Sequence, residues 1–235
     1  MSNNSNITKH SPLIRYLRVT DYEALELVYA EIKSPDHSEL QFIEHIISEW
    51  KEEQAIANLL FYPELIPEPL RFDAILRALE SDDAPYYVLA AVVGLQTIDH
   101  NDWTSAQRKA IGERLISITS QDVEVIAARA SITVWEYLDD LGDDRLLKLY
   151  PVATATANKN IMAFALTRYA DNTKKNFKKT LKAMNIKWGT RRKFVKRFKK
   201  YLRGKRTGNA VFMQAPQYIE IPSLADVDQR VVIQS

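Results

Sequence analysis

The chain has 235 residues, 46% of them apolar and 26% charged, which supports a buried core and excludes wholesale disorder. Six glycines, nine prolines and no low-complexity run exclude collagen-like and linker-dominated chains, and the absence of cysteine excludes disulfide scaffolds, thiolate metal sites and a cysteine nucleophile. The formal net charge is only +2, a figure that conceals a strong asymmetry.

The first six residues, Met1 to Asn6, are polar, with neither a basic n-region nor an apolar h-region, so no secretory signal is read. Residues 1–13 are read as a flexible lead-in. Thr20-Asp21-Tyr22-Glu23 has capping-box spacing, with Thr20 as cap, and opens a helix to about Ile32. Ser34-Pro35 breaks it. Ser38 to Gln41 gives a second box, after which Phe42, Ile43, Ile46, Ile47 and Trp50 share one helical stripe. That stripe continues through Ile56, Leu59 and Leu60 until Pro63. Pro63, Pro67 and Pro69 form a connector, with Pro69 suited to the first turn of the next helix.

From Pro69 the helices are expected in pairs. First members fall at about 69–80, 104–119, 143–150 and 173–185, and their partners near 83–98, 121–139, 156–171 and 190–203. The joints carry Asp82-Asp83-Ala84-Pro85, Ser120-Gln121-Asp122, Gly142 and Gly189-Thr190. First members start 35, 39 and 30 residues apart, a loose period typical of stacked helical hairpins. The second helices also align in register. Tyr87 to Val93 lies over Ile126 to Ile132, which in turn lies over Ile161 to Thr167, each mixing large aliphatic residues with alanine. The longest apolar stretch, Tyr86 to Leu95, is half of the roughly 20 residues a membrane-spanning helix needs. Without cysteine or a signal, a cytoplasmic protein is expected.

These polar openings followed by Ala-rich apolar second helices resemble the HEAT-like family of helical repeats, over about residues 69–203. The family's regular second-helix arginine is met only by Arg129. The resemblance implies an all-α fold, an α-α superhelix of about five to six helix pairs. It would form one helical-repeat domain over 14–203, followed by an extended tail over 204–235.

Charge is distributed unevenly. Sixteen of the 32 Lys and Arg lie between Lys174 and Arg206, where there is no Asp or Glu, whereas residues 1–173 carry 15 basic and 27 acidic side chains. The basic segment is also amphipathic. Phe177, Leu181 and Met184 recur at helical spacing, as do Phe194, Val195, Phe198, Tyr201 and Leu202. A folded hairpin over 173–203 is expected, turning at Trp188-Gly189-Thr190, with Thr190 as N-cap and Gly204 ending its second helix. Its polar face would present Lys178, Lys179, Lys182, Arg191, Arg192, Lys193, Lys196, Arg197, Lys199, Lys200 and Arg203 to a partner. Trp188 and Tyr201 are candidates to stack on a base.

The favoured reading is a non-enzymatic adaptor, inhibitor or scaffold that engages an acidic protein through the repeat surface and this hairpin. The alternative is nucleic-acid binding through phosphate contacts. A basic helix lying on a membrane and a solvated terminal repeat are the remaining readings, with membrane contact the least favoured. No small-molecule ligand or cofactor is implied.

Catalytic constellations are missing. No phosphate loop exists among the six glycines, and His10, His37, His45 and His100 fit no His-Glu-x-x-His frame. Asp99 to Asp102 reads as a polar turn. Asp139 to Asp144 has calcium-loop composition but not its ligand spacing, and Asp143 and Asp144 read as helix N-terminal charges. A few HEAT-like proteins of this size are DNA glycosylases that use Trp, Asp and basic residues on a concave face. Trp50, Trp103, Trp135 and Trp188 keep that activity as an extension of the nucleic-acid alternative, with Trp135-Glu136 facing the Asp139 turn. Residues 211–222 alternate like a strand interrupted by proline, and are read as a strap along the body or a β-addition segment.

Overall fold

A computed structural model describes residues 11–99 and 103–207, and every regular element among the described residues is helical. They divide into two units, one ending at Trp103 and the other beginning at Thr104, where a single repeat domain is the sequence expectation. The lead-in before Ser11, the Asp99–Asp102 turn beyond Asp99, and the tail beyond Thr207 with its strand-like segment lie outside the described residues.

In the first unit, α1 spans Pro12–Tyr16 and is capped by Ser11, whose side chain accepts from the Ile14 amide at 3.2 Å. Leu13, Ile14 and Tyr16 are buried, so folded structure begins before the expected boundary at residue 14. Helix α2, Tyr22–Tyr29, is capped by Asp21 rather than Thr20, the Asp21 carboxylate accepting from the Glu23 amide at 2.8 Å. Helix α3, His37–Glu49, carries a complete capping box between Asp36 and Glu39, two residues ahead of the expected Ser38–Gln41 box.

The apolar stripe does not make one continuous helix. Trp50 turns into the left-handed region at φ 53°, and α4 restarts at Glu53–Phe61. The about 1–2 kcal/mol that such a conformation costs a non-glycine residue is opposed by packing of the Trp50 ring. The Arg77 guanidinium lies 4.3 Å from that ring's centroid and the Tyr87 ring 5.8 Å away.

Helix α4 is buried from Ala55 to Phe61, and its polar member is fully bonded. The Asn58 side chain donates to the carbonyls of Tyr16 at 2.7 Å and Val19 at 2.9 Å and accepts from the Gln54 amide at 2.9 Å, while the Asn58 backbone carbonyl accepts from the Tyr16 hydroxyl. Pro63 then opens a single 3-10 turn, and α5, Glu68–Leu79, takes Pro69 in its first turn as expected. Helix α6, Pro85–Gly94, is buried on every side from Tyr86 onward. It lies so close to α4 that a β-carbon on Gly94 would stand 1.9 Å from the Leu60 carbonyl oxygen.

The second unit begins with α7, Ser105–Thr119, whose Thr104 and Gln107 form a capping box. Helix α8, Glu124–Thr133, tightens into a 3-10 turn over Val134–Tyr137 before α9, Leu138–Leu141, so the expected 121–139 helix is not uniform. Gly142 at φ 93° permits the reversal into α10, Asp143–Leu147. Helices α11, Ala155–Arg168, α12, Lys174–Ala183, and α13, Trp188–Arg206, complete it. The expected partners do pack: α5 on α6, α7 on α8, α10 on α11 and α12 on α13.

The aligned second helices α8 and α11 also pack on each other. Ala127, Ala128, Ala130, Ala157 and Ala165 are fully buried. Small side chains let the backbones come close enough for Asn160 to donate to the Ala128 carbonyl at 3.2 Å and the Ser131 hydroxyl at 3.1 Å.

The α4–α6 contact yields a direct test. Gly94→Ala forces a β-carbon against backbone that cannot swing aside, and should lower stability by about 1–3 kcal/mol. A urea midpoint unchanged by the substitution would contradict this close approach.

Candidate functional site

The basic hairpin is folded onto the second unit. Thr173 caps α12 by accepting from the Asn176 amide at 3.1 Å. The helix ends in a Schellman motif, in which Asn185 adopts φ 56°. The Ile186 amide returns to the Leu181 carbonyl and the Asn185 amide to the Lys182 carbonyl, both at 3.1 Å. This motif makes the turn before Trp188, correcting the expected turn at Trp188-Gly189-Thr190. Helix α13 starts at Trp188 with Lys187 as its cap residue, Thr190 is buried inside it, and it continues through the buried Gly204 to Arg206.

An aromatic seam joins the two helices to their support. Phe177, Phe194 and Phe198 are completely buried. Ring centroids lie 4.3 Å apart for Phe177–Phe198, 4.8 Å for Tyr150–Phe194 and 5.4 Å for Tyr169–Phe177. Tyr201 belongs to this seam: it is 7% exposed, 6.0 Å from Phe198, and its ring is not offered to a ligand base. Trp188 is the opposite case, at 67% exposed.

With the seam inside, the cations face out. Lys178, Lys179 and Lys182 of α12 are exposed, as are Arg192, Lys193, Lys196, Lys199, Lys200 and Arg203 of α13, while Arg191 and Arg197 are half-buried. Lys205 pairs with Asp171 at 3.3 Å. The hairpin holds no carboxylate of its own, so its helices cannot neutralise one another.

Two grooves gather these side chains. The first, of about 450 Å3, is lined by Lys193, Lys196, Arg197 and Lys200 of α13, by Asn158, Lys159 and Met162 of α11, and by Tyr150. The Lys193 ammonium lies 5.8 Å from the Tyr150 ring centroid. Burial pushes the Tyr150 phenol up, while the Arg197 guanidinium pulls it down. Lys159 stands outside the basic run from Lys174 to Arg206, so the charge distribution along the chain does not single it out. Its signal in the sequence is its place one residue from Asn158 and three from Met162, on one α11 face. The second groove, of about 300 Å3, is lined by Lys174, Lys178, Trp188, Arg191, Arg192 and Val195. Lys179, Lys182, Lys199 and Arg203 line neither.

The position of Lys159 depends on how α11 begins. Thr154 makes no side-chain cap there; instead Glu124 of α8 accepts from the Thr156 amide at 2.7 Å. Burial alone would raise the Glu124 carboxyl, but hydrogen bonds from Thr156 and the Ala155 backbone outweigh it and leave it lowered. The carboxylate thus acts as the helix cap, aided by the positive end of the helix dipole.

Other sequence candidates are engaged elsewhere. Asp140 accepts from Arg108 at 2.9 Å and from the Ser105 hydroxyl at 2.6 Å. Arg168 joins Asp139 at 2.6 Å and Asp143 at 3.2 Å, and Asp144 pairs with Lys148 at 2.6 Å. Among the described residues no group of three His, Asp or Glu is arranged to hold a metal ion. His45 is exposed, and His37 contacts Gln41 at 3.0 Å. Trp103 packs edge-on against Phe72 at 5.5 Å and Trp135 against Phe164 at 5.3 Å. Among the described residues no helix is long and apolar enough to cross a membrane.

No protein-family model, curated protein or solved structure matches the chain.

The Glu124 cap has a pH signature. Its folded carboxyl is lowered, so its contribution is complete above the unfolded pKa and disappears as pH falls through the folded value. Glu124→Gln should cost about 1–2 kcal/mol at neutral pH, the usual loss of a helix cap. The two proteins should converge in urea stability as the solution is taken below about pH 4. A difference constant with pH would contradict the capping role.

Proposed function

We propose that this is a non-enzymatic binding protein whose basic hairpin engages a polyanion, and that nucleic acid is the partner its geometry favours. One observation carries the proposal: Lys193, Lys196, Arg197 and Lys200 line a single groove, joined by Lys159 from a different helix. A groove bounded by cations on two sides suits a continuous phosphate backbone, which presents charge at regular intervals. An acidic protein surface would need its carboxylates to enter that groove, and a solvated terminal cap would need no groove at all. The α13 helix, at about 1.5 Å per residue, offers cations along the whole basic face. In this proposal the paired helices are HEAT-like repeats of a cytoplasmic protein, supported by their pairwise packing and by the α8–α11 alignment.

Counterion release gives the test. Log affinity for duplex or single-stranded nucleic acid should fall with log salt by about 0.7–0.9 per phosphate neutralised. The four α13 cations of the groove therefore predict a slope of roughly −3 to −4. Combined Lys193→Glu, Lys196→Glu and Lys200→Glu substitution should abolish binding and leave the circular dichroism spectrum intact. Absence of binding at low salt would refute the proposal, as would affinity that survives charge reversal. Capture of an acidic protein in its place, lost on the same reversal, would move the partner to that class.

A further inference from the structure

We propose that Trp188 is a stacking platform for an unpaired base, so that the α12–α13 face selects single-stranded over duplex nucleic acid. The inference rests on the nucleic-acid reading of the hairpin and deepens it. Trp188 opens α13 with 67% of its surface in water, whereas Trp50, Trp103 and Trp135 each pack against another aromatic ring. A large aromatic ring is normally buried, because its apolar area is costly to leave in solvent.

The surroundings of the ring point to the class of molecule that covers it. The Arg192 guanidinium lies 5.5 Å from the Trp188 ring centroid, a cation–π distance that holds the two side chains together. Lys174, Lys178 and Arg191 line the same groove, with Val195 as its other apolar member. Among the described residues the other exposed large apolar side chains, Leu27 and Val152, line neither groove. An aromatic face edged by four cations matches a nucleotide, whose base is flat and apolar on its faces and whose flanking phosphates are anionic. Stacking of this kind tolerates any base, since every base has a π-face. It also requires that the face be free. In a duplex the base faces are occupied by neighbouring pairs, so only a single strand can use Trp188 along its length.

The experiment compares an oligothymidylate with a duplex of equal length, using the full chain and its Trp188→Ala and Trp188→Phe variants. The ratio of single-strand to duplex affinity should fall by roughly 5- to 100-fold in Trp188→Ala and be largely restored in Trp188→Phe. Tryptophan fluorescence provides a second readout that needs no alanine variant. Quenching by oligothymidylate should be carried by Trp188 and vanish in Trp188→Phe. An unchanged ratio, or quenching that persists without Trp188, overturns the stacking platform and leaves the phosphate-binding reading standing. If the unmodified protein binds neither polymer, both fall together. Preferential capture of an aromatic-containing acidic peptide would also overturn it.

Discussion

The basic face of the hairpin depends on one physical contest, the mutual repulsion of the basic side chains against the aromatic seam beneath them. Sixteen cations occupy the stretch from Lys174 to Arg206 without a single carboxylate among them. Two exposed unit charges about 6 Å apart repel by less than 1 kcal/mol in water, and beyond about 8 Å physiological salt screens them. The seam opposes this with three completely buried phenylalanines, Phe177, Phe194 and Phe198. Each contributes about 1.5–3 kcal/mol on burial. Tyr150 and Tyr169 close it from the supporting side. The apolar term wins because it is local and dry, while the repulsion is spread over solvated side-chain tips. The result is a charged surface held in register rather than a dispersed tail.

Holding the hairpin down also decides where its charges can act. The phenylalanine spacing along α13 turns Lys193, Lys196, Arg197 and Lys200 to one side, toward α11, and leaves Trp188, Arg191 and Arg192 near the start of α12. Helix α11 is fixed in its turn by two polar devices. Glu124 caps its first turn from α8, and Asn160 ties it to the Ala128 carbonyl and the Ser131 hydroxyl. Lys159 sits between those two anchors, so the opposite wall of the groove is as well supported as α13.

Much of this was legible in the sequence because its causes are local. The 3.6-residue stripe of Phe177 and Leu181 and that of Phe194, Phe198 and Tyr201 identify two amphipathic helices, and the charge count needs no structure at all. The alignment of Ile126–Ile132 with Ile161–Thr167 anticipates helices that pack through small residues, and α8 and α11 do so. The misreadings share a different origin. Thr20 and Asp21 are adjacent capping residues, and only the backbone entering α2 selects Asp21. A helical stripe cannot reveal that Trp50 leaves the helix, since its ring finds Arg77 and Tyr87 far along the chain. Nor does composition favour Asn185 over Gly189 for the turn, although the left-handed conformation of Asn185 settles it. Lys159 was hidden because a groove is a tertiary object, made from residues that are unremarkable on their own helices.

Amide hydrogen exchange with and without a single-stranded oligonucleotide at low salt tests the central claim, that α12 and α13 with the adjoining face of α11 form a polyanion-binding surface. Exchange should slow in Lys174–Ala183, Trp188–Arg206 and the first turns of α11, and added salt should reverse the effect. Protection absent from these helices, or confined to the first unit, would contradict it.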